Sequence, residues 1–195
     1  MTQHIRPVIL GVILLTLLTG CVFPVGVFAV GRLFFRDRAD GSLLTPGGTV
    51  IGSRLIGQNF TRPEYFHARP SAAGTGYDGT ASGGTNLGPL NRKLIEDVRK
   101  LAEDYRRDNG LAPDATVPID AVTRSGSGLD PHISPVNAAL QVPRVARARG
   151  LSEDVVRRLL TDSTQGRQWG FIGNPRVSVL DLNLALDRAG PPVTR

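Results

Sequence analysis

Cysteine, histidine and lysine are nearly missing from this 195-residue chain. The single cysteine, Cys21, excludes an intrachain disulfide framework and any cysteine-built zinc site. Three histidines argue against a multi-histidine metal centre, so His67 and His132 read as hydrogen-bonded structural residues. Lysine occurs 2 times against 21 arginines, a bias that reads as a GC-rich genome rather than a guanidinium-specific function. Aromatics make up only 6% of the chain, and most lie in the apolar N-terminal segment or at Phe60, Tyr65 and Phe66. The basic residues are mixed with acids across Arg92 to Asp108, and the net charge is a modest +6. No basic stripe is interleaved with aromatic rings, which excludes nucleic acid as a partner. Charge is absent between Arg6 and Arg32, and no acidic residue precedes Asp37.

That uncharged stretch is the first feature present rather than missing. Pro7 to Gly31 is 25 residues long. A membrane-spanning helix needs about 20 such residues. The spacing predicts one helix, kinked by Pro24, which has no N–H to donate. Leu18-Thr19-Gly20-Cys21 also resembles a lipoprotein cleavage motif, which keeps a lipid-anchored extracytoplasmic binding protein as the alternative. Cleavage there would leave apolar Val22 to Gly31 where mature lipoproteins carry a polar tether, so an uncleaved anchor is the reading adopted. The chain then divides into a short tail (1–6), a transmembrane helix (7–31), a linker (32–48), a soluble domain (49–190) and a C-terminal tail (191–195). Counted from Arg36, the soluble part carries 21 basic and 17 acidic residues, or +4.

Within the soluble part, Thr49 to Ile56 reads as a strand interrupted at Gly52. Pro70 to Pro89 reads as a long glycine-rich loop, functional or disordered. Leu90 to Arg107 reads as an amphipathic helix with Leu90, Leu94, Val98, Leu101 and Tyr105 on one face and Gly110 at its exit. Val117 to Val122 is a short apolar stretch, and Ser125 to Gly128 a second flexible loop. Ser134-Pro135 opens a helix to about Gly150 that Pro143 should bend or split. Ser152 caps another helix, with Val155, Val156, Leu159 and Leu160 on its buried face. Val177 to Leu180 reads as a strand, and Asp181 as the cap of a last helix through Arg188. The fold class expected is an α+β soluble domain tethered by one N-terminal transmembrane α-helix.

General catalytic motifs fail on their context. Gly74 to Gly79 matches GxGxxG but lacks the preceding strand and following helix that a dinucleotide site requires. Gly79 to Thr85 resembles a phosphate loop without its lysine, although its N–H groups could form an anion nest. Ser127, Asp130 and His132 are neighbours in sequence, which is no evidence for a hydrolase triad. Asn59-Phe60-Thr61 is a glycosylation sequon that matters only in a eukaryotic secretory pathway.

Several ordered phrases remain: Gly52 to Phe60 (GSRLIGQNF), Tyr65 to Ala72 (YFHARPSA), Ser82 to Pro89 (SGGTNLGP), Ser125 to Pro135 (SGSGLDPHISP), Gln141 to Arg149 (QVPRVARAR) and Asn183 to Asp187 (NLALD). With the single anchor, they resemble the C subunit of the Kdp potassium-transporting ATPase over nearly the whole chain. The resemblance implies a non-catalytic subunit of a bacterial inner-membrane potassium pump. Its partners would be a channel-like potassium-binding subunit, a P-type ATPase subunit, a small membrane subunit and membrane lipid. No DKTGT phosphorylation motif occurs here. No catalytic residue, no metal ligand and no tightly bound cofactor is implied.

The family role is that of a catalytic chaperone raising the ATP affinity of the ATPase subunit, so ATP would be met through that partner. The resemblance carries nucleotide contact onto Gln141. Ser82, Gly83 and Gly84 match part of an ABC-transporter signature, with Ala81 in place of its leucine. Partner contacts fall on Gln58, Phe60, Tyr65, Phe66, Arg69, Asn86, Ser127, Asp130 and Arg144. Counting Arg32, Arg36 and Arg38 would put the soluble domain in the cytoplasm. The resemblance puts it outside, beside the potassium entrance, and a whole-chain likeness weighs more than three arginines.

Overall fold

The structure is a computed structural model that describes residues 4–45 and 48–190. The expected tails at 1–3 and 191–195 and the turn at Pro46-Gly47 lie outside the described residues. The chain forms two compact units, Met1–Ser53 and Arg54–Arg195.

The first unit is dominated by one apolar helix, Ile5–Phe34, of 30 residues, whose most apolar 18-residue stretch has a mean hydropathy of 2.6. At 1.5 Å per residue it is about 45 Å long, more than enough to cross a hydrocarbon core of about 30 Å. None of its residues is buried within the chain, as expected for a helix solvated by lipid or by partner helices. Two α-helical parts, α1 (Ile5–Leu17) and α2 (Phe23–Phe34), are joined by a π turn at Leu18–Val22. Pro24 explains that turn. Its ring would crowd the carbonyl of Gly20 and it donates no hydrogen bond. The wider turn carries the strain, with the Phe23 N–H reaching back to the Leu18 carbonyl. The predicted kink point is therefore a π turn within a continuous helix. A short α3 (Arg36–Ala39) follows, then β1 (Leu43–Leu44), paired antiparallel with β2 (Gly52–Ser53). The strand expected over Thr49 to Ile56 is thus confined to two residues.

The second unit is the α+β domain. Helix α4 (Arg92–Asn109) is capped by Asn91, whose side chain accepts from the Lys93 N–H, and leaves through Gly110 at φ +64°. It starts two residues later than expected, so Leu90 is 91% exposed instead of lining the buried face. Then come α5 (Ile119–Val122), β3 (His132–Ile133), α6 (Pro135–Arg149), α7 (Glu153–Ser163), β4 (Thr164–Gln165), β5 (Arg176–Ser178) and α8 (Val179–Ala189). Ser134 and Ser152 cap α6 and α7 as expected. The last cap differs. Ser178 accepts from the Asp181 N–H, so β5 ends at Ser178 and Asp181 lies in the first turn of α8.

The sheet order is β3-β5-β4, all antiparallel, with Ile133 and Thr164 both opposite Val177. Helices α6, α7 and α8 each pack on β5, and α7 packs against both α6 and α8. Phe66, Val142, Val145, Val156, Val177, Leu182 and Leu186 are each 0% exposed at the centre of this core. Pro143 does not split α6. Buried Val142 and Val145 flank it, and burying each such side chain contributes about 1.5–3 kcal/mol, enough to offset the roughly 3 kcal/mol an internal proline costs.

Candidate functional site

The phrases scattered along the sequence meet in two adjoining assemblies of the α+β unit. The first is a strap, residues 60–70, that belongs to no sheet and begins with a turn in which the Tyr65 N–H returns to the Arg62 carbonyl at 3.2 Å. Its backbone is held by side chains instead. The Phe66 N–H donates to Asn183 Oδ1 at 2.8 Å, and Asn183 Nδ2 donates to the Phe66 carbonyl at 3.0 Å. One residue on, the His67 N–H donates to Gln141 Oε1 at 2.8 Å, and Gln141 Nε2 donates to the His67 carbonyl at 3.2 Å. Each amide thus does what a neighbouring strand does, supplying one acceptor and one donor to one residue. Asn183 sits on α8 and Gln141 on α6, both 1% exposed.

Two arginines complete the clasp. Arg144 donates from Nη1 to the carbonyls of Pro63 (2.6 Å) and Tyr65 (2.9 Å), from Nε to Asn109 Oδ1 (3.0 Å) and from Nη2 to Gln141 Oε1 (2.8 Å). Arg149, with a side chain only 2% exposed, donates to the Glu64 carbonyl and pairs with Asp187 Oδ1, each at 2.7 Å. Its guanidinium lies 4.8 Å from the centre of the Tyr65 ring, and that ring lies 5.4 Å from Phe60. Behind Gln141, its Nε2 also donates to Asn137 Oδ1 at 2.9 Å, and the Tyr105 hydroxyl donates to the same oxygen at 2.9 Å. Burial, and then the Arg144 charge, lower the pKa of His67, which holds the imidazole neutral at pH 7.

The second assembly is a junction of glycine loops. The Gly57 N–H donates to the Leu129 carbonyl (2.8 Å), and the Gly83 N–H and Ser82 hydroxyl both donate to the Ser127 carbonyl (2.9 and 3.0 Å). Ser71 Oγ donates to the Gly128 carbonyl at 2.6 Å and accepts from the N–H groups of Ala73 and Tyr77. Glycine is required at Gly128. Its φ is +68°, and a Cβ there would lie 2.6 Å from the Ala73 nitrogen and 2.7 Å from the Gly83 oxygen. Arg69 ties this junction to the strap. It pairs with Asp130 at 2.9 Å and reaches Thr123, while Asp130 accepts from the His132 N–H at 3.0 Å. Burial alone would raise the Asp130 pKa, but hydrogen bonds from His132 and Arg69 outweigh it and hold the carboxyl at about 2.

Of the residues singled out in the sequence, Phe60, Tyr65, Phe66, Gln141 and Arg144 form the strap clasp. Arg69, Ser82, Gly83, Ser127 and Asp130 form the junction. Gly84 lines a shallow, open cleft of about 500 Å³ beside it, with Lys93, Asp97 and Arg124, the last two paired at 3.1 Å. Gln58 is half-buried next to Gly57. Asn86 stands apart, exposed and at φ +52°. Sequence reasoning passed over Asn137, and it quoted Arg149, Asn183 and Asp187 within longer phrases without giving any of them a role of its own. The available signal for Asn183 was a lone amide amid the apolar face of Leu182 and Leu186. Chemically the clasp is a holding device: the Gln141 amide, the Ser82 hydroxyl and the Gly83 N–H all donate to the chain's own backbone and side chains.

Comparison with known proteins covers nearly the whole chain. Residues 5–188 match the family model for KdpC, described as the K+-transporting ATPase c chain. The chain belongs to the KdpC family. It is 54% identical over 188 residues to the potassium-transporting ATPase KdpC subunit of Mycobacterium tuberculosis (strain ATCC 25618 / H37Rv), covering 96% of this chain and 100% of the relative. It is 48% identical over 194 residues to the corresponding subunit of Koribacter versatilis, covering 100% of this chain and 99% of the relative. Identity to the Beijerinckia indica subunit is 52% over 191 residues, 98% and 96% of the two chains. Membership of this family, together with one apolar helix of membrane-spanning length among the described residues, makes the chain a single-pass membrane subunit of a potassium-transporting ATPase.

Proposed function

We propose that the chain is the accessory, non-catalytic subunit of a bacterial high-affinity potassium pump, in which a channel-like subunit passes potassium and a P-type subunit hydrolyses ATP. Its α+β domain acts on the extracytoplasmic face of the inner membrane as an assembly and stabilising cap. Any gain in ATP affinity, the catalytic-chaperone role, then reaches the ATPase subunit indirectly, through assembly. The observation that carries this reading is the inward commitment of Gln141, whose amide is bonded to His67, Asn137 and Arg144. An amide that contacted ATP directly would first have to release the strap. The alternative, a lipid-anchored extracytoplasmic binding protein, requires cleavage before Cys21, inside the π turn of an unbroken 30-residue helix.

One preparation tests the reading. A reporter fused after Arg195 is expected to be active outside the cytoplasm, and the intact mass of the same protein is expected to retain residues 1–20 with no acyl chains on Cys21. A cytoplasmic reporter would contradict the cap, and an acylated Cys21 would favour the lipid-anchored alternative.

A further inference from the structure

Residues 166–175, between β4 and β5, are all exposed. They fold back as a tight hairpin. The Gln168 and Ile172 N–H groups exchange bonds with each other's carbonyls at 2.9 Å, and the Gly170 N–H returns to Arg167 at 3.2 Å. The turn carries the only tryptophan of the chain, Trp169, which is 85% exposed, and Phe171, which is 70% exposed. Trp169 also has φ +51°, a conformation rarely adopted by so bulky a residue. The fold thus holds an indole in a strained backbone position and takes almost no packing from it. Uncompensated strain with exposed aromatics is characteristic of binding segments, not of structural turns.

We propose that this hairpin is a docking plug that seats Trp169 and Phe171 in an apolar, acid-rimmed socket on another subunit of the potassium-transporting ATPase. The proposal rests on the reading of the chain as an assembly subunit. Charge complementarity sets the rim: within the exposed hairpin, residues 166–175, the only charged residue is Arg167. Trp, Phe and Arg are also the side chains that concentrate binding energy at protein interfaces.

The other occupants fit less well. Two rings bury at most about 500 Å², well short of the roughly 1,200 Å² that a stable self-dimer needs, whereas a plug within a larger, membrane-anchored assembly needs only a hot spot. A fluid bilayer would take the rings without requiring a preformed, strained turn, whereas a fixed socket gains affinity from one already ordered.

The full chain tests this as wild type, Trp169→Asn and Phe171→Ser, each expressed with the other pump subunits and recovered through a tag on the P-type subunit. Asn suits a left-handed φ, so Trp169→Asn is expected to leave the thermal midpoint of the isolated chain unchanged or higher. Recovery with the complex is expected to fall about tenfold or more in each variant. Wild-type recovery in both variants would overturn the plug. So would loss of recovery accompanied by loss of stability in both, which would assign the rings to the fold. If the wild-type chain itself is not recovered, the assembly reading fails and the plug with it. Trp169 fluorescence supplies the last arm, in the isolated chain reconstituted in bilayers containing brominated lipid. Unquenched emission that becomes shielded only when partner subunits are added supports the socket, and quenching without partners would make lipid the occupant and overturn it.

Discussion

The clasped strap and the exposed hairpin treat the same kinds of side chain in opposite ways. In the strap, Phe66 is 0% exposed and Arg149 is buried against Glu64, Tyr65 and Asp187. In the hairpin, Trp169 and Phe171 face solvent and the backbone bends unfavourably to present them. Motif-rich phrases therefore need not mark a binding surface. Here they build a rigid scaffold from the inside, and the surface best suited to a partner lies in a segment with no recognisable motif. Substitutions in the strap and the junction should cost stability, and substitutions in the hairpin should cost assembly.

The largest cost is expected at Gly128. Its substitution by alanine puts a Cβ against two backbone atoms at a left-handed φ, and strain with overpacking should remove about 2–5 kcal/mol. Denaturant unfolding of the full chain checks this, and an unchanged midpoint would break the claim that the junction is close-packed. Next comes acid. The Asp130 pKa is depressed from 3.8 to about 2, so its contribution is fully present above the unfolded value and is lost as pH falls through the folded one. That amounts to about 2 kcal/mol lost between roughly pH 4 and pH 2. His67, also depressed, adds an earlier loss that begins as pH drops below its ordinary value of 6.5. A pH series on wild type, Asp130→Asn and His67→Gln should remove the two slopes separately. The smallest effect on the isolated chain is that of Trp169→Asn, within about 1 kcal/mol and in the stabilising direction, against its large effect on assembly.

Much of the helical framework was legible because helix ends carry local chemistry. Ser134 with Pro135, Ser152 with Glu153 and Asp154, and Gly110 and Gly150 at left-handed φ all mark their ends in the sequence. The strands were legible only in part: the reading over Val177 to Leu180 overlaps β5 at Val177 and Ser178, that over Thr49 to Ile56 contains β2, and the others were missed. At two or three residues each they are too short to show period-two alternation. The Asp181 cap was misassigned because Ser178 and Asp181 are both good caps, and only tertiary structure shows which one leads. Gln141 was legible as important but not as buried. An amide on a helix reads as solvent-facing until the strap that covers it, 74 residues earlier in sequence, is in place. The clasp is a long-range pairing made by side chains, and no local pattern announces it.

The most direct test of the inward-facing clasp is the unfolding free energy of Gln141→Ala in the full chain, followed by the ATP affinity of the assembled pump carrying it. Removing the amide leaves the His67 N–H and carbonyl without partners, which should cost about 1–3 kcal/mol. The account predicts that loss of stability, with ATP affinity unchanged in complexes that do assemble. Unaltered stability together with weakened ATP binding would contradict it and make Gln141 a nucleotide contact.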